Sequence, residues 1–391
     1  MSRPAPTVGQ VLGSRETAEP WLRWARNRPP AELVHLDSAA AGRSSAAVLR
    51  ATAGHARREA QLGAYVAEVE AGPVLDVGRS DLAALLGVEP DGLAFVESAS
   101  AARSALLAAW PWRAGDAVAV LPGEWGPNLE AFAARGLRVV GLPVKGADGG
   151  GVLDLERLGQ ALATAPPAVV HLTQIASHRA LVQPVAQAAV LCRAVGVPLW
   201  VDAAQALGHV DTATGADAIY ATSRKWLAGP RGVGVLAVAA PYRDALRITR
   251  SAMAPDDLPV VHHLESHDAH VAGRVGLCVA VAEHLAAGPA AVRQRLVDVG
   301  RWTREELAGV PGWAVVDPVD AGCAITALRP TGGQDVAATR ARLLGEHGIL
   351  TTACQPARAP REMTTALLRI SPHVDCRPEA LAGVRAALLG G

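Results

Sequence analysis

The fold is decided by the stretch Val197-Pro198-Leu199-Trp200-Val201-Asp202, an apolar run that ends in a carboxylate. A short apolar run bounded by Pro and followed by small residues predicts a buried strand. A second run, Ala218–Ala221, leads into Thr222-Ser223-Arg224-Lys225. The ligand crevice of a parallel sheet lies at the carboxyl ends of its strands. We therefore expect Asp202 and Lys225 to meet at one edge of such a sheet.

Similar apolar runs alternate with helical patterns through this part of the chain. The alternation is typical of α/β proteins and predicts a large, mainly parallel seven-stranded sheet. The predicted strands are Leu93–Glu97, Ala117–Leu121, Arg138–Leu142, Ala168–Leu172, Leu199–Asp202, Ala218–Ala221 and Val233–Val238. The predicted helices include Ala101–Trp110, Asn128–Arg135, Leu155–Ala163 and Gln187–Val195.

The strand pattern weakens after Ala240, where a helical run, Val271–Leu285, leads to two further predicted strands, Ala324–Leu328 and Leu367–Ser371. We interpret this part as a smaller α/β domain. The predicted division is an N-terminal arm over residues 1–35 that joins the small domain, a large cofactor-binding domain over 36–285, and a small C-terminal domain over 286–391.

Composition excludes several classes of protein. Half of the 391 residues are hydrophobic, and 37 Lys and Arg balance 37 Asp and Glu. Disordered chains and general nucleic-acid binders do not have this composition. No apolar run reaches the roughly 18 residues of a membrane helix, and the N-terminus lacks the apolar core of a secretory signal. Five cysteines without a CxxC pair indicate reduced thiols. We expect a cytoplasmic protein without nucleic-acid or membrane partners.

The pair Asp202 and Lys225 suggests a specific chemistry. A single Lys is by default a solvated charge, and a single Asp can simply cap the following helix. Together, a desolvated amine that forms an imine and a carboxylate that keeps a ring nitrogen protonated are what a pyridinium aldehyde cofactor requires. We therefore interpret the pair as a cofactor site.

A phosphate-bearing cofactor also needs an anion cradle. The segment Ser98-Ala99-Ser100 follows a predicted strand and opens a predicted helix, where small residues let backbone N–H groups approach an anion. Thr222 and Arg224 flank Lys225 and offer a hydroxyl and a cation to the same group. Ser98 alone is equally consistent with an ordinary helix N-cap.

These motifs, as an ordered set, resemble those of the class V aminotransferase group of fold-type-I pyridoxal-phosphate enzymes. The resemblance rests on Asp202-x-x-Gln205, on Thr222-x-Arg224-Lys225 and on His35-Leu36-Asp37-Ser38-Ala39-Ala40-Ala41-Gly42. It implies a fold-type-I α/β architecture, pyridoxal 5′-phosphate as the cofactor, a small-molecule amino-acid substrate and a homodimer with shared active sites.

The resemblance also implies roles for individual residues. Lys225 would form the imine with the cofactor aldehyde, Asp202 would bind the pyridine nitrogen, and Gln205 would hydrogen-bond the phenolic oxygen. The residues that would bind the phosphate are Ala99, Ser100, Thr222 and Arg224.

Further positions follow from the same resemblance. The indole ring of Trp125 would stack on the cofactor ring, at a position where desulfurases carry a His. Gln174 would lie near the cofactor ring. Arg369 would grip the substrate α-carboxylate, for which the planar guanidinium is suited. His267 and Asp268 would complete the phosphate site of the neighbouring subunit.

Two clusters admit other interpretations. His262, His263, His267 and His270 with Glu265 and Asp268 could suggest a metal, but they match no ordinary site, and we predict none. Cys354 lies 369 − 354 = 15 residues before Arg369. It is either a sulfur acceptor, as in desulfurases, or a buried structural thiol, and we favour the structural role.

Four motifs carry a closer resemblance, and they are Ser98-Ala99-Ser100, Gly123-Glu124-Trp125-Gly126, Thr222-Ser223-Arg224-Lys225-Trp226 and Arg369-Ile370-Ser371-Pro372-His373. Together they are similar to those of the carbon–sulfur lyases of ergothioneine biosynthesis. That similarity implies β-elimination from hercynylcysteine sulfoxide, a sulfur amino acid, to give a sulfenic acid, pyruvate and ammonia. The trimethylammonium and carboxylate groups at the betaine end of this substrate would bind an aromatic face and a cation. The candidate residues for these contacts are Tyr65, Trp125 and Arg58. The alternatives are sulfur transfer through Cys354, an aminotransferase or epimerase, and a catalytically idle scaffold protein.

Overall fold

A computed structural model describes residues 15–145, 151–249, 255 and 257–390 of the chain. It contains the predicted seven-stranded sheet, whose central strands are buried over their whole length. The strands of this sheet are β2 (Leu93–Val96), β3 (Ala117–Val120), β4 (Arg138–Gly141), β7 (Val169–Thr173), β8 (Leu199–Asp202), β9 (Ala218–Thr222) and β10 (Gly234–Val238). All seven predicted strands are thereby confirmed to within two residues.

The order of strands in this sheet is β2-β10-β9-β8-β7-β3-β4. Strand β10 is antiparallel to both of its neighbours, and the other paired strands run parallel. The carboxyl ends of β7, β8 and β9 therefore lie side by side at one edge, next to the first residue of β10. Asp202 and Thr222 end two adjacent strands at that edge, as the sequence predicts.

Helices cover the sheet and connect its strands. Their bounds are α1 (Arg15–Arg26), α2 (Ala46–Leu62), α3 (Ala64–Leu86), α4 (Ala99–Ala109), α5 (Gly126–Ala134), α6 (Leu155–Thr164), α7 (Val185–Ala194), α8 (Ala240–Arg243), α9 (Val271–Ala287), α10 (Pro289–Leu307), α11 (Val336–His347) and α12 (Pro378–Leu389). Short 3-10 turns occur at Pro90–Gly92, Val260–Leu264 and Pro356–Arg358.

A second, four-stranded sheet is built from the C-terminal part of the chain. Its strands are β11 (Trp313–Val315), β12 (Thr326–Pro330), β14 (Thr352–Cys354) and β15 (Leu367–Ile370), in the antiparallel order β11-β12-β15-β14. The remaining strands are β1 (Val34–His35), which pairs with β13 (Ile349–Leu350), and the hairpin of β5 (Val144–Lys145) and β6 (Val152–Leu153).

The segment before the large sheet joins this C-terminal part. Leu36, just after β1, packs in the apolar core of the second sheet, and Trp24 of α1 stacks on His373 with ring centroids 5.2 Å apart. The arm predicted over residues 1–35 lies partly outside the described residues. The domain boundaries at residues 36 and 286 stay predictions.

Within the described residues no single helix has the length and apolar character needed to cross a membrane. Helices α9 and α10 meet that criterion only when they are taken together, and they are bent by 84° where they join.

Helix α10 packs directly on the strand that follows it. A Cβ atom at Gly300 would overlap the carbonyl oxygen of Cys323 and lie 2.8 Å from the Cα of Ala324. The buried guanidinium of Arg304 donates to four carbonyl oxygens of the same segment, among them Cys323 (3.1 Å) and Ile325 (2.9 Å). Gly300 and Arg304 thus fix this helix against the chain leading into β12.

We expect Gly300→Ala to lower the free energy of unfolding by about 1–3 kcal/mol, because the added methyl group has no space in this contact. The matched control is Gly345→Ala in α11, where an added Cβ meets nothing within 4 Å. This control should raise the free energy of unfolding by about 0.5–1 kcal/mol, since Ala favours helix over Gly. Urea unfolding of both variants measures the difference, and equal midpoints would contradict the packing described here.

Candidate functional site

A cavity of about 310 Å³ opens at the edge of the large sheet where β7, β8 and β9 end. The structure brings eight of the predicted site residues together in its wall. They are Ala99, Ser100, Trp125, Asp202, Gln205, Thr222, Arg224 and Lys225. Further lining residues that were not predicted from the sequence as site residues include Glu97, Asn128, Thr173, Ser177, Tyr220, Arg231, Gly232 and Arg358.

Lys225 lies in the turn that follows β9. Burial lowers the pKa of its amine to about 7, although the nearby carboxylate of Asp202 raises it and Arg224 lowers it further. The N-terminal motif holds this turn, because the backbone N–H of Gly42 donates to the carbonyl oxygen of Arg224 at 2.7 Å. Roughly half of the amine is therefore uncharged, and hence nucleophilic, near neutral pH.

Asp202 ends β8 and is almost fully buried. Its Oδ1 accepts a hydrogen bond from the backbone N–H of Ala204 at 2.9 Å, so it does form the local turn contact that its position allows. Its Oδ2 accepts from the side-chain amide of Asn128 at 3.0 Å. The carboxylate is thereby fixed in orientation at the floor of the cavity.

Behind Asp202 lies a buried polar network that was not predicted from the sequence. Fully buried Glu124 accepts from the side chains of Asn128 (2.8 Å) and Thr173 (2.7 Å) and contacts His171 at 2.9 Å. Burial raises the pKa of Glu124, but His171 and these hydrogen bonds outweigh that effect and hold it below its ordinary value. The sequence feature that could have predicted this network is the four-residue spacing of Glu124 and Asn128 around the start of α5, which places two such side chains near each other.

Gln205 is oriented by its surroundings. Its Oε1 accepts from the indole N–H of Trp226 at 2.8 Å, and its Nε2 donates to the carbonyl oxygen of Ala39 at 2.9 Å. With the amide oxygen taken by Trp226, the amide nitrogen keeps a second N–H to donate. That donor matches the phenolic oxygen of the expected cofactor.

The predicted anion cradle is formed where α4 begins. Ser98 is the N-cap of α4, and its hydroxyl accepts from the backbone N–H of Ala101 at 3.1 Å. Strand β10 starts directly against this turn, since a Cβ at Gly234 would lie 2.8 Å from the carbonyl carbon of Ser98. Thr222 and Arg224 line the same part of the wall. Helix N–H groups, a hydroxyl and a guanidinium together suit a phosphate.

Two predicted substrate contacts are not in the cavity. Tyr65, at the start of α3, is 80% exposed, and Arg58 of α2 forms an exposed ion pair with Glu70 at 2.7 Å. Neither side chain lines the cavity of its own chain. Their contact with the betaine end stays a prediction.

Gln174 also lies away from the cavity. Its side-chain amide donates to the carbonyl oxygen of Asp211 at 2.7 Å. Thr173, one residue earlier, lines the cavity instead. Successive side chains of an extended segment point to opposite sides, so a shift of one residue moves the polar group away from the site.

Arg369 lies just behind the cavity wall. It is buried, and its Nη atoms donate to the carbonyl oxygen of Ser177 (2.6 Å), to Asp37 (3.0 Å) and to Thr352 (3.2 Å). Its Nε has no partner within the part of the chain that the structure describes. Ser177, whose carbonyl oxygen it contacts, lines the cavity.

His267 and Asp268 are exposed and do not line the cavity. Glu265, which suggested a metal together with the neighbouring histidines, forms ion pairs with Arg79 and Arg274. Among the described residues, no group of three or more His, Cys, Asp or Glu side chains is arranged to hold a metal ion.

Comparisons with known proteins agree with this geometry. The family model for class-V aminotransferases matches residues 34–375. A protein of Mycobacterium tuberculosis described as a probable hercynylcysteine sulfoxide lyase is 49% identical over 94% of this chain and 92% of its own length.

Solved structures show the same fold at low sequence identity. The apo cysteine desulfurase from Thermococcus onnurineus NA1 superimposes with a TM-score of 0.80 at 17% identity, covering 92% of this chain and 94% of that chain. A lysine-to-alanine mutant of C-DES, with glycine covalently linked to its pyridoxal-phosphate cofactor, gives 0.81 at 18% identity, covering 92% and 97%. The fold-type-I architecture predicted from the sequence is confirmed.

The cavity fits the cofactor that this family uses. The cavity contains the Lys225 amine with its lowered pKa and the buried carboxylate of Asp202. It also contains the N-terminus of α4, against which Gly234 of β10 packs closely. These groups match an aldehyde, a ring nitrogen and a phosphate, the three handles of pyridoxal 5′-phosphate. By its sequence match over residues 34–375 and by this site, the chain belongs to the class-V aminotransferase family and is a pyridoxal-phosphate enzyme.

Proposed function

We propose that this enzyme cleaves the Cβ–S bond of hercynylcysteine sulfoxide by β-elimination. The products are a sulfenic acid and 2-aminoacrylate, which water converts to pyruvate and ammonia, and a thiol reductant would convert the sulfenic acid to ergothioneine. The name of the relative that is 49% identical supports a pyridoxal-phosphate carbon–sulfur lyase. The observation that carries the proposal is the presence of Lys225 and Asp202 in one cavity that no cysteine of the described chain lines.

Lys225 acts as the base in this proposal. When bound, pyridoxal phosphate supplies an electron sink for the charge that develops at the substrate Cα. The Lys225 amine, with a pKa of about 7, accepts the Cα proton at neutral pH. Asp202 holds a proton at the ring nitrogen, and Asn128 and Ala204 keep both of its carboxylate oxygens in place.

Substrate orientation is proposed to come from Trp125 and Arg369. Trp125 lines the cavity and offers its indole face to the ring. Arg369 contacts Ser177, which lines the cavity, and its Nε is unpartnered among the described residues, so it is the guanidinium proposed to take the α-carboxylate.

The position of Cys354 supports elimination over sulfur transfer. Cys354 is on β14, opposite Leu367 of β15, and is fully buried among Ala327, Ala359 and Met363. A thiol that accepts sulfur must reach the substrate, and this one faces the apolar core of the small sheet. An elimination needs no cysteine.

We further propose a cytoplasmic homodimer. Helices α2 and α3 expose a row of large apolar side chains, which are Leu49, Leu62, Tyr65, Val66, Val69, Val74 and Val77. Contiguous exposed apolar surface of this kind marks an interaction site. We propose that a second copy of this chain binds to this face. In such a dimer, His267 and Asp268 would complete the phosphate site of the neighbouring subunit, as the family resemblance implies. All five cysteines are free thiols, four of them buried, which supports a reducing compartment.

Pyruvate release tests the reaction. The wild-type holoenzyme should release one pyruvate per molecule of hercynylcysteine sulfoxide consumed, and Cys354→Ala should retain this rate within about two-fold because the thiol takes no part. Loss of turnover in Cys354→Ala, with sulfur transfer in the wild type, would favour the desulfurase alternative. Amino-group transfer without pyruvate would favour an aminotransferase.

The attachment of the cofactor tests Lys225. The chain has two lysines, Lys145 and Lys225, which makes the control unambiguous. After borohydride reduction, Lys145→Arg should retain one covalent cofactor per chain by mass spectrometry, and Lys225→Ala should carry none.

The pH dependence of cofactor capture tests the lowered pKa of Lys225. The rate at which the apoenzyme attaches pyridoxal phosphate should rise with pH to a plateau with a midpoint near 7, because only the neutral amine reacts. Asp202→Asn should move the midpoint to lower pH, since the Asp202 charge raises the pKa of the amine. A midpoint near the ordinary lysine value of 10.5 would contradict the burial of the amine.

Light scattering tests the dimer. The double variant V69E/V77E places two charges on the exposed face of α3 and should reduce the measured mass from two chains to one. The control Val190→Glu alters an equally exposed Val on α7, where 63% of the residue is accessible, and should leave the dimer intact. A dimer in both variants would place the interface elsewhere.

A further inference from the structure

Two cationic side chains of the cavity, Arg231 and Arg358, have no group of the expected cofactor assigned to them, and of these Arg231 is exposed to solvent. Arg358 ends the 3-10 turn Pro356–Arg358, four residues beyond Cys354, and it lines the cavity. Its guanidinium carbon lies 5.0 Å from the centroid of the Trp125 ring. The stacking of a guanidinium on an indole orients its N–H groups in one plane.

The Arg358 guanidinium lacks a counter-ion among the described residues. Its Nε is buried without a hydrogen-bond partner among the described residues. Burial lowers the pKa of this guanidinium and Arg369 lowers it further, and these effects outweigh those of Cys354 and Asp37, which raise it. Other buried arginines near the site are paired, since Arg369 contacts Asp37 and Arg179 contacts Asp317. A partly buried cation without a partner is costly unless an anion arrives with the ligand.

The anion that would pair with Arg358 is not the cofactor phosphate. The phosphate cradle lies at the ends of β2, β9 and β10, and Trp125 follows β3, three places from β9 in the sheet. Strands are about 4.8 Å apart, so the ends of β3 and β9 are roughly 14 Å apart along the edge. Arg224, next to Lys225, already serves the phosphate end.

The position of Arg358 is held by close packing. A Cβ at Gly126 would overlap the carbonyl oxygen of Ala357, so the turn before α5 and the turn carrying Arg358 touch through their backbones. Four residues on, Glu362 is tied to Arg179 at 2.9 Å. The guanidinium is therefore presented by a fixed turn and not by a free surface loop.

We propose that Arg358 and Trp125 form a subsite for a carboxylate on the sulfur substituent of the substrate. This inference rests on the proposed function and adds that the subsite binds the sulfur substituent of the substrate. A planar guanidinium takes a carboxylate through two parallel hydrogen bonds. One face of the Trp125 ring is assigned to the cofactor, and the Arg358 guanidinium lies against this ring, which holds it in position for the carboxylate. The lyase thus selects S-substituted cysteine sulfoxides whose leaving group carries an acid.

The subsite includes one of the three residues predicted to contact the betaine end. Trp125 lines the cavity, whereas Arg58 and Tyr65 lie on surface helices and do not line it. Arg358 supplies a cation inside the cavity, next to Trp125. Arg369 remains the proposed ligand of the α-carboxylate, so each acid of the substrate has its own arginine.

The experiment compares two substrates that differ only at the distal acid. They are hercynylcysteine sulfoxide and its analogue in which the betaine carboxylate is a carboxamide. Wild-type kcat/KM should be about 10–100-fold higher for the acid, since a charged hydrogen-bonded pair contributes about 1.5–3 kcal/mol. The Arg358→Gln variant should lose that preference by becoming slower with the acid while changing less than about three-fold with the amide.

Two further variants control this comparison. Arg358→Lys keeps the charge but not the planar fork, and it should lose part of the preference. Arg361→Gln removes an exposed cation three residues along the same segment and should behave as the wild type with both substrates.

A binding readout separates this proposal from the reaction itself. The α-methyl analogues of both substrates have no Cα proton to lose, so their dissociation constants can be measured by calorimetry without elimination. The wild type should bind the acid more tightly than the amide, and Arg358→Gln should bind them equally.

Several outcomes would overturn the subsite. Equal affinity of the wild type for the acid and the amide would do so even if both release pyruvate. An equal loss for both substrates in Arg358→Gln would mean that this arginine holds the α-carboxylate. Absence of pyruvate from every cysteine sulfoxide would instead reject the proposed lyase, and the calorimetric preference for the acid would still decide the subsite.

Discussion

The structure depends on keeping an amine and a carboxylate together in a site with little water. Burial favours the neutral form of Lys225, and the charge of Asp202 opposes that effect, so the pKa of the amine falls to about 7 and no further. Electrostatic interactions are stronger in such surroundings than in water. The hydrogen bonds from Asn128 and Ala204 let Asp202 stay at the floor of the cavity without a direct cationic partner.

The strand order turns this pair into a site with two different ends. Adjacent ends of β2, β10 and β9 provide the small residues and hydroxyls suited to a phosphate. Asp202, on β8, occupies the middle. Thr173 and Trp125, after β7 and β3, form the far end, where a turn from the small sheet closes the wall. A ligand lying along the edge meets each chemical environment in turn.

The small sheet decides which reaction this edge of the site can support. Cys354 points into the apolar core between β14 and β15, and Arg358, four residues later, lines the cavity. The segment thus presents a guanidinium to the ligand and buries its thiol. A fixed cation can bind an acidic group but cannot accept sulfur, so this arrangement supports the proposed elimination.

Local sequence pattern is enough to predict the strands of the large sheet and the meeting of Asp202 with Lys225. A short apolar run predicts a buried strand, and polar residues at strand ends collect at one edge. Three features came from the folded chain instead: Glu124 and His171 support Asp202, Gln174 points away, and Arg358 enters the cavity. These contacts depend on which strands are neighbours and on which face each side chain takes. A shift of one residue reverses that face, so motif spacing alone cannot specify it.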